Sequence, residues 1–385
     1  MKIIIISFSD FIGGASIAAH SIFKSLKKMN KYFFTVHAQN KSSIEIYNIL
    51  GKSYIYFLRV IEKVIIKFFL KKKFHQSLNI FYTNISKKIN FHNADIVNIH
   101  WVNRSMMSLN DIKNINSKVV ISLHDMWFLR STEHYSLNNE PLLKDKVSDY
   151  CQKKKKEIVK QANVFFIAHN QWMLSQFNKT YPGNKNKIFL CENYPINTNI
   201  FKPRNKKNLR KKYNIPIKKK IIFFSAQDTS DLRKGYNHFI NVVEKLRNEK
   251  NILFISVGRH RKDLDTIKNL KQIDFLSHDK ICEIYSLSDI FVCTSVIDNL
   301  PLTVLEALAS GNVVFSFKNG GANKILDKVG FSYDLNKKNQ LINDLKKISL
   351  PQIRSKSYKS RSFALKNFNY QSISSQYSKI FKKII

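Results

Sequence analysis

Short, continuous apolar runs punctuate the whole chain, and they limit its fold more than any other feature. In the first half they read KIIIISF, YFFTVHA, ADIVNIH, KVVISLH, NVFFIAH and IFLCENY; in the second, KIIFFSA, NILFISVG, DIFVCTS and NVVFSF. A strand that is apolar at nearly every position must be covered on both faces, which is the condition of a parallel sheet between helices. Helical stretches separate the runs, at 15–26 behind the pair Gly13-Gly14 and near 236–249, 279–287 and 302–310. The pattern predicts an α/β fold of two doubly wound sheets, with ligands at the carboxyl ends of the strands. The stretch 195–203, bounded by Pro195 and Pro203, reads as a linker. It divides the chain into domains 1–194 and 204–368, with 369–385 as a terminal helix.

A length of 385 residues accommodates two cores of ordinary size, and 44% hydrophobic residues mark a globular chain. No apolar run approaches the roughly 18–20 residues of a membrane span. The opening MKIIIISFSDFIGG is broken by Asp10 too soon for a secretory signal and reads as the first strand. Cys151, Cys191, Cys282 and Cys293 are scattered without a CxxC pair, which fits a reducing, cytoplasmic setting and no disulfide framework. The formal net charge of +38 invites polyanions such as nucleic acid, acidic lipid or phosphorylated substrates, or reflects lysine spread over all surfaces. The run KKKK at 153–156 reads as the exposed start of a helix.

One basic segment is better ordered than a lysine-rich composition requires. In residues 54–73, YIYFLRVIEKVIIKFFLKKK, Leu58, Ile61, Ile65 and Phe69 share one helical stripe and Phe57, Val60, Val64 and Phe68 another. Arg59, Lys63, Lys67 and Lys71 recur every four residues beside them. Such a helix either lies in the headgroup region of an anionic membrane or packs on the core with a solvated lysine edge.

The run TSVIDNLPLTVLEALASGNVVFSF, 294–317, carries the most chemistry. It reads as a loop with Asp298, a helix from about Pro301 that includes Glu306, a turn at Gly311, and a buried strand. The amides of Asn299, Leu300, Leu302 and Thr303 then point out of a helix N-terminus, where the dipole suits a phosphate. A nearby carboxylate can accept hydrogen bonds from sugar hydroxyls. Read by itself, the same run also fits an ordinary βαβ crossover.

The order acidic residue, seven residues, Glu, Ala-Leu-Ala-x-Gly, strand resembles the signature of retaining family 4 glycosyltransferases. The resemblance implies a GT-B fold: two Rossmann-like domains facing a cleft, with the C-terminal helix crossing back to the first. Further stretches match the same family. FIGGASIAAH places Gly13 and Gly14 in a glycine loop that would meet a phosphate or acceptor. NIHWVN and SLHDMWFL put His100 and His124 at strand ends, and look like the branch that builds surface polysaccharides and lipopolysaccharide. His124 would stand beside the donor sugar, with Asp125 either orienting it or capping the next helix; His100, Glu133 and His134 would line the acceptor side. RKGY at 233–236 resembles the family's phosphate-binding motif, so that Lys234 and Arg233 would hold the leaving diphosphate.

By the same resemblance Glu306 would bind the ribose, Asp298 a donor-sugar hydroxyl, and Gly258 would allow close approach, with Arg259 beside it. Two departures stand out: Asp298 replaces the family's usual glutamate, and Ala226-Gln227 stands where relatives have Gly-Arg, so Gln227 supplies no charge. Asp263 and Asp265 form a DxD outside the expected site, which reads as chance. The resemblance thus implies a metal-independent, retaining hexosyltransferase without cofactor, taking a nucleotide sugar and a glycan or lipid-linked acceptor, peripheral on the inner face of the cytoplasmic membrane. The competing readings are a non-catalytic GT-B protein that binds sugar nucleotide or partners, and a nucleic-acid binder. The latter draws on the charge alone, since no nucleic-acid motif is present.

Overall fold

Ile3, Ile4, Ile5 and Ile6 are all fully buried, so the first strand is covered on both faces, as its sequence requires. The computed structural model describes residues 1–70, 75–136, 140–318 and 320–385. The chain forms two compact units, one of Met1–Asn193 with Ile373–Ile385, the other of Tyr194–Ser372. In the first unit β1 (Lys2–Ile6), β2 (Asn30–Thr35), β3 (Ser43–Glu45), β4 (Ile96–Ile99), β5 (Lys118–Leu123), β6 (Val164–Ala168) and β7 (Ile188–Leu190) make a parallel sheet in the order 3-2-1-4-5-6-7. The second unit repeats the plan with β8 (Lys220–Ser225), β9 (Ile252–Val257), β10 (Leu270–Ile273), β11 (Ile290–Cys293), β12 (Val313–Phe317) and β13 (Phe331–Tyr333), ordered 10-9-8-11-12-13. Strand order reverses beside β1 in one sheet and beside β8 in the other. These are the switch points at which doubly wound sheets open to ligands.

Three short strands escape the apolar-run pattern: SIE, LKQI and FSY. β3, β10 and β13 are all sheet edges, and partly exposed edge strands need no continuous apolar run. The stretch 195–203, expected to be a linker, lies within the second unit instead. Its Ile196 and Phe201 are buried, and the Ile196 N–H donates to the Phe368 carbonyl at 2.8 Å. The terminal helix Tyr370–Ile384 contributes Ile373, Tyr377 and Phe381 to the core of the first unit. Lysines 153–156 are not uniformly solvated. Lys155 is fully buried in the helix Lys146–Lys160, its ammonium bonded to the carbonyls of Trp127, Arg130 and Ser131. Burial lowers its pKa to about 7.

The amphipathic segment is a helix, Ile49–Phe69; of its first apolar stripe Leu58 is buried, Ile61 and Ile65 are half-buried and Phe69 is exposed. Ile55 and Leu58 are buried beside Glu62, whose carboxylate accepts from Ser105 Oγ at 2.8 Å. Phe57, Val60, Val64 and Phe68 are exposed, with exposed Lys63 and Lys67 next to them. Lys71 and the rest of 71–73 lie outside the described residues. Among the described residues no helix is long and apolar enough to cross a membrane.

Candidate active site

In the second unit, the loops that leave β8, β11 and β12 are stitched together through glycines. The loop after β11 brings Asp298 into an isolated parallel bridge with Gly320, which follows β12. Gly320 has φ 152°, and a Cβ there would lie 1.7 Å from the Asp298 carbonyl oxygen, so no other residue fits. The Gly321 N–H donates to the Asn299 carbonyl at 2.7 Å. On the other side Gly235, at φ 66°, would place a Cβ 1.9 Å from the Thr294 carbonyl. Thr294 Oγ1 donates to the Gly235 carbonyl at 2.8 Å, and the Val296 N–H donates to that of Arg233 at 2.9 Å.

This stitching converges the predicted charges. Lys234 Nζ stands 2.6 Å and Arg233 Nη1 3.2 Å from the same oxygen, Asp298 Oδ2, while Arg233 Nη2 holds Asp231 at 3.0 Å. Burial would push the Asp298 carboxyl up, but Lys234 and Arg233 outweigh it and hold the group below the usual carboxylate range. The helix Leu302–Ala309 begins immediately after, with Pro301 at its N-cap and no capping side chain. Among the described residues no side chain accepts from the amides of Leu302 and Thr303 in its first turn. Asn299 and Leu300 are buried in the approach, and Asn299 Nδ2 donates to the Tyr194 hydroxyl at 3.5 Å.

Glu306 lies inside that helix and is buried. The Tyr285 hydroxyl donates to its Oε2 at 3.1 Å and His278 Nε2 lies 3.2 Å from Oε1. Burial raises the Glu306 carboxyl to about 7, against the opposing pull of the Tyr285 hydrogen bond. Gln227 is exposed after β8, and Arg259 is exposed after β9. Gly258 makes a close approach, but to the protein itself: at φ 149° its Cβ would lie 2.4 Å from the Ala226 carbonyl. A glycine is thus required there for the two loops to pack. Asp263 is paired with Arg261, and Asp265 Oδ1 with His260 and Gln272, so the DxD carboxylates are taken up in local surface contacts.

In the first unit Gly13 caps the helix Gly14–Ser25 after β1 with φ 82°. A Cβ on Gly13 or Gly14 would meet nothing within 4 Å, so the loop edge is open. His100 follows β4 and His124 follows β5, next to the switch point, and His100 Nδ1 lies 2.7 Å from His124 Nε2. His169, after β6, stacks on the His124 ring with centroids 5.5 Å apart. Asp125 Oδ1 accepts from the Trp127 N–H at 2.9 Å, while Oδ2 pairs with His134 Nδ1 at 2.6 Å. His134 and Glu133 are both buried, His134 also 2.9 Å from Ser77 Oγ and Glu133 paired with Arg130 at 3.1 Å. Their bonds are those of a loop scaffold, not of a surface open to an acceptor.

Sequence reading missed His278, Tyr285, Asp231, Gly320 and Gly321. Only the glycine pair behind a buried strand was a visible signal. His278 and Tyr285 reach Glu306 from the neighbouring helix His278–Leu287, and no local pattern reports such a pairing.

Residues 205–362 match the family of glycosyl transferases group 1. An uncharacterized protein of Sulfolobus islandicus rod-shaped virus 1 is 27% identical over 207 residues, 49% of this chain. The chain spans about half of that curated relative, 54% of its length. Among solved structures, Anabaena HepE in complex with UDP-glucose aligns over the whole of both chains with TM-score 0.69 and 15% identity. Sucrose-phosphate synthase from Thermosynechococcus elongatus aligns over 100% of this chain and 98% of its own, with TM-score 0.68 and 14% identity. WaaG, a glycosyltransferase involved in lipopolysaccharide biosynthesis, covers 98% and 99% with TM-score 0.66 and 14% identity. Two parallel Rossmann-like sheets, the strand orders above and these likenesses agree: the chain has the GT-B fold, and its residues 205–362 match the glycosyl transferases group 1.

Proposed function

We propose that this chain transfers a sugar, with retention and without a metal, from a nucleotide-diphosphate donor to a glycan or lipid-linked acceptor of surface polysaccharide. The observation that carries the proposal is the pair Lys234 and Arg233 gathered on Asp298 beside an uncapped helix N-terminus. A diphosphate is a stronger anion than one carboxylate, so it would draw both cations and the first-turn amides to itself. Asp298, released from them, would accept a hydrogen bond from the donor sugar. Glu306 would accept from the ribose hydroxyls. As the bond from C1 to the diphosphate breaks, Lys234 and Arg233 offset the charge that develops, the role a metal plays elsewhere. The acceptor oxygen forms its bond to C1 on the face the diphosphate leaves, and its proton passes to a leaving phosphate oxygen. His124 positions a hydroxyl and need not act as a base.

The test is a thermal-shift titration of the full chain with UDP-, GDP- and dTDP-sugars, with donor hydrolysis read in parallel and manganese and EDTA as controls. Uridine donors head the panel because HepE is seen with UDP and UDP-glucose. One donor at about 100 times its Kd should add about 2.7 kcal/mol of stability. The shift should survive EDTA and vanish in Glu306→Ala. No shift with any donor would favour the non-catalytic reading.

The same reading places the chain on the cytoplasmic face of an anionic membrane, through the helix Ile49–Phe69. Phe57, Val60, Val64 and Phe68 form an exposed apolar ridge that core packing leaves unused, and Lys63 and Lys67 flank it. Each basic residue near such a surface contributes about 1 kcal/mol. Lys63→Glu with Lys67→Glu should therefore lower binding to vesicles of acidic phospholipid by more than tenfold in a sedimentation assay. Unchanged binding would put the contact elsewhere.

A further inference from the structure

His124 was singled out as a hydrogen-bonding group, yet a neutral imidazole can donate or accept at either nitrogen, and its role depends on which nitrogen holds the proton. The buried bonds behind it decide this. Asn98, fully buried on β4, donates from Nδ2 to the Val120 carbonyl at 2.8 Å and to Ser122 Oγ at 3.1 Å. A backbone carbonyl can only accept, so the amide orientation is settled and Asn98 Oδ1 is the atom that faces His100 Nε2 at 2.9 Å. An amide oxygen can only accept, so His100 carries its proton on Nε2. Its Nδ1 is then a lone pair, and at 2.7 Å it must receive a hydrogen bond from His124 Nε2. The proton of His124 is thereby placed on Nε2.

We infer that Asn98 and His100 are positioning residues that lock His124 into its Nε2–H tautomer, which makes Nδ1 the accepting nitrogen of the ring. Ser122 is itself within 3.3 Å of the Tyr377 hydroxyl, which lies 3.5 Å from His169 Nε2, so the terminal helix braces the same network. Burial holds both His100 and His124 well below the ordinary imidazole value, and holds His169 down to about 3, which keeps the cluster neutral near pH 7. Asp125 also acts on His124, and its own oxygens are engaged by His134, Trp101 and the Trp127 N–H. The catalytic consequence rests on the glycosyltransferase reading; the tautomer does not.

The measurement is a long-range 1H–15N correlation spectrum of the ligand-free full chain with 15N-labelled histidine. Signals of residues 100 and 124 are assigned by their loss in His100→Gln and His124→Gln. In the unaltered chain, His124 should show a protonated Nε2 and an unprotonated Nδ1 from about pH 8 down to about pH 6, across its ordinary range. A proton on Nδ1, or titration near the ordinary value, would overturn the inference. Asn98→Asp supplies a second arm, because a carboxylate beside His100 raises its pKa. As pH falls through that value, His100 gains a proton on Nδ1 and must donate to His124, whose own proton should then move to Nδ1. If His124 keeps its Nε2 proton while His100 titrates, the coupling is wrong. Because no sugar nucleotide is present, failure here is distinct from failure of the proposed activity.

Discussion

Replacing Lys234 by alanine should lower sugar transfer by about a hundred- to a thousandfold, the loss expected when a preorganised group stabilising transition-state charge is removed. The expectation is large because few other cations stand ready to compensate. Gln227, in the loop after β8, is uncharged, and Arg233 is shared between Asp231 and Asp298. The loss should fall on kcat, since the negative charge on the diphosphate grows as its bond to C1 breaks. The ion pair with Asp298 has a structural side as well. Alanine leaves the buried carboxylate to Arg233 alone, so a modest fall in Tm should accompany the kinetic loss. Steady-state assays with the donor identified by titration, alongside a melting curve, separate the two effects. An unchanged kcat would remove Lys234 from the chemistry and with it the main support for transfer.

Glu306→Gln should make the free protein more stable at pH 8 while weakening its hold on the nucleotide. The sign follows from the raised carboxyl. With a folded value of about 7 against an ordinary 4.5, the folded state favours the protonated acid. Its contribution to stability is fully present below about pH 4.5 and is lost as pH rises through about 7. Above that, the unaltered chain carries a buried carboxylate at a cost of about 3 kcal/mol, from 1.36 kcal/mol per unit. Glutamine avoids the cost, so the Tm of the variant should exceed that of the parent at pH 8, and the gap should close towards pH 5. Binding should run the other way. A carboxylate offers acceptors to both ribose hydroxyls, whereas an amide has one oxygen, so affinity should fall by about tenfold or more. In the parent, affinity should strengthen as pH rises through about 7, a dependence the variant should lack. Isothermal titration at several pH values, with UDP as the ligand, measures both.

The sheets were legible because their strands are apolar on both faces, and Ile3 to Ile6 need no tertiary information to be read as central strand. Loop chemistry was legible where it is continuous in the chain, as in RKGY and the run from Asp298 to Glu306. Legibility ended where function depends on residues distant in sequence. Nothing in the sequence around His278 or Tyr285 announces that both turn towards Glu306. Gly258 is a lesson of the opposite kind: the residue type was read correctly as a close-approach position, but the approaching group is the carbonyl of Ala226. The helix Ile49–Phe69 was legible as amphipathic, but which of its apolar residues the core takes, Leu58 buried and Phe69 exposed, depends on neighbours distant in sequence.

The covalent path of the chain has a consequence for how the protein is made. The second unit is a guest sequence, Tyr194–Ser372, spliced into a host whose last piece is Ile373–Ile385. Domains emerging from a ribosome ordinarily fold in turn, the first before the second. Here the host waits for Ile373, Tyr377 and Phe381, all buried in it, and they are synthesised only after the guest. The guest can mature while its host is a sheet still lacking the terminal helix, with the seat of Tyr377 unfilled. A stop codon near residue 369 would therefore strike the half of the protein it lies farther from in sequence, and the early half would be the one to misfold.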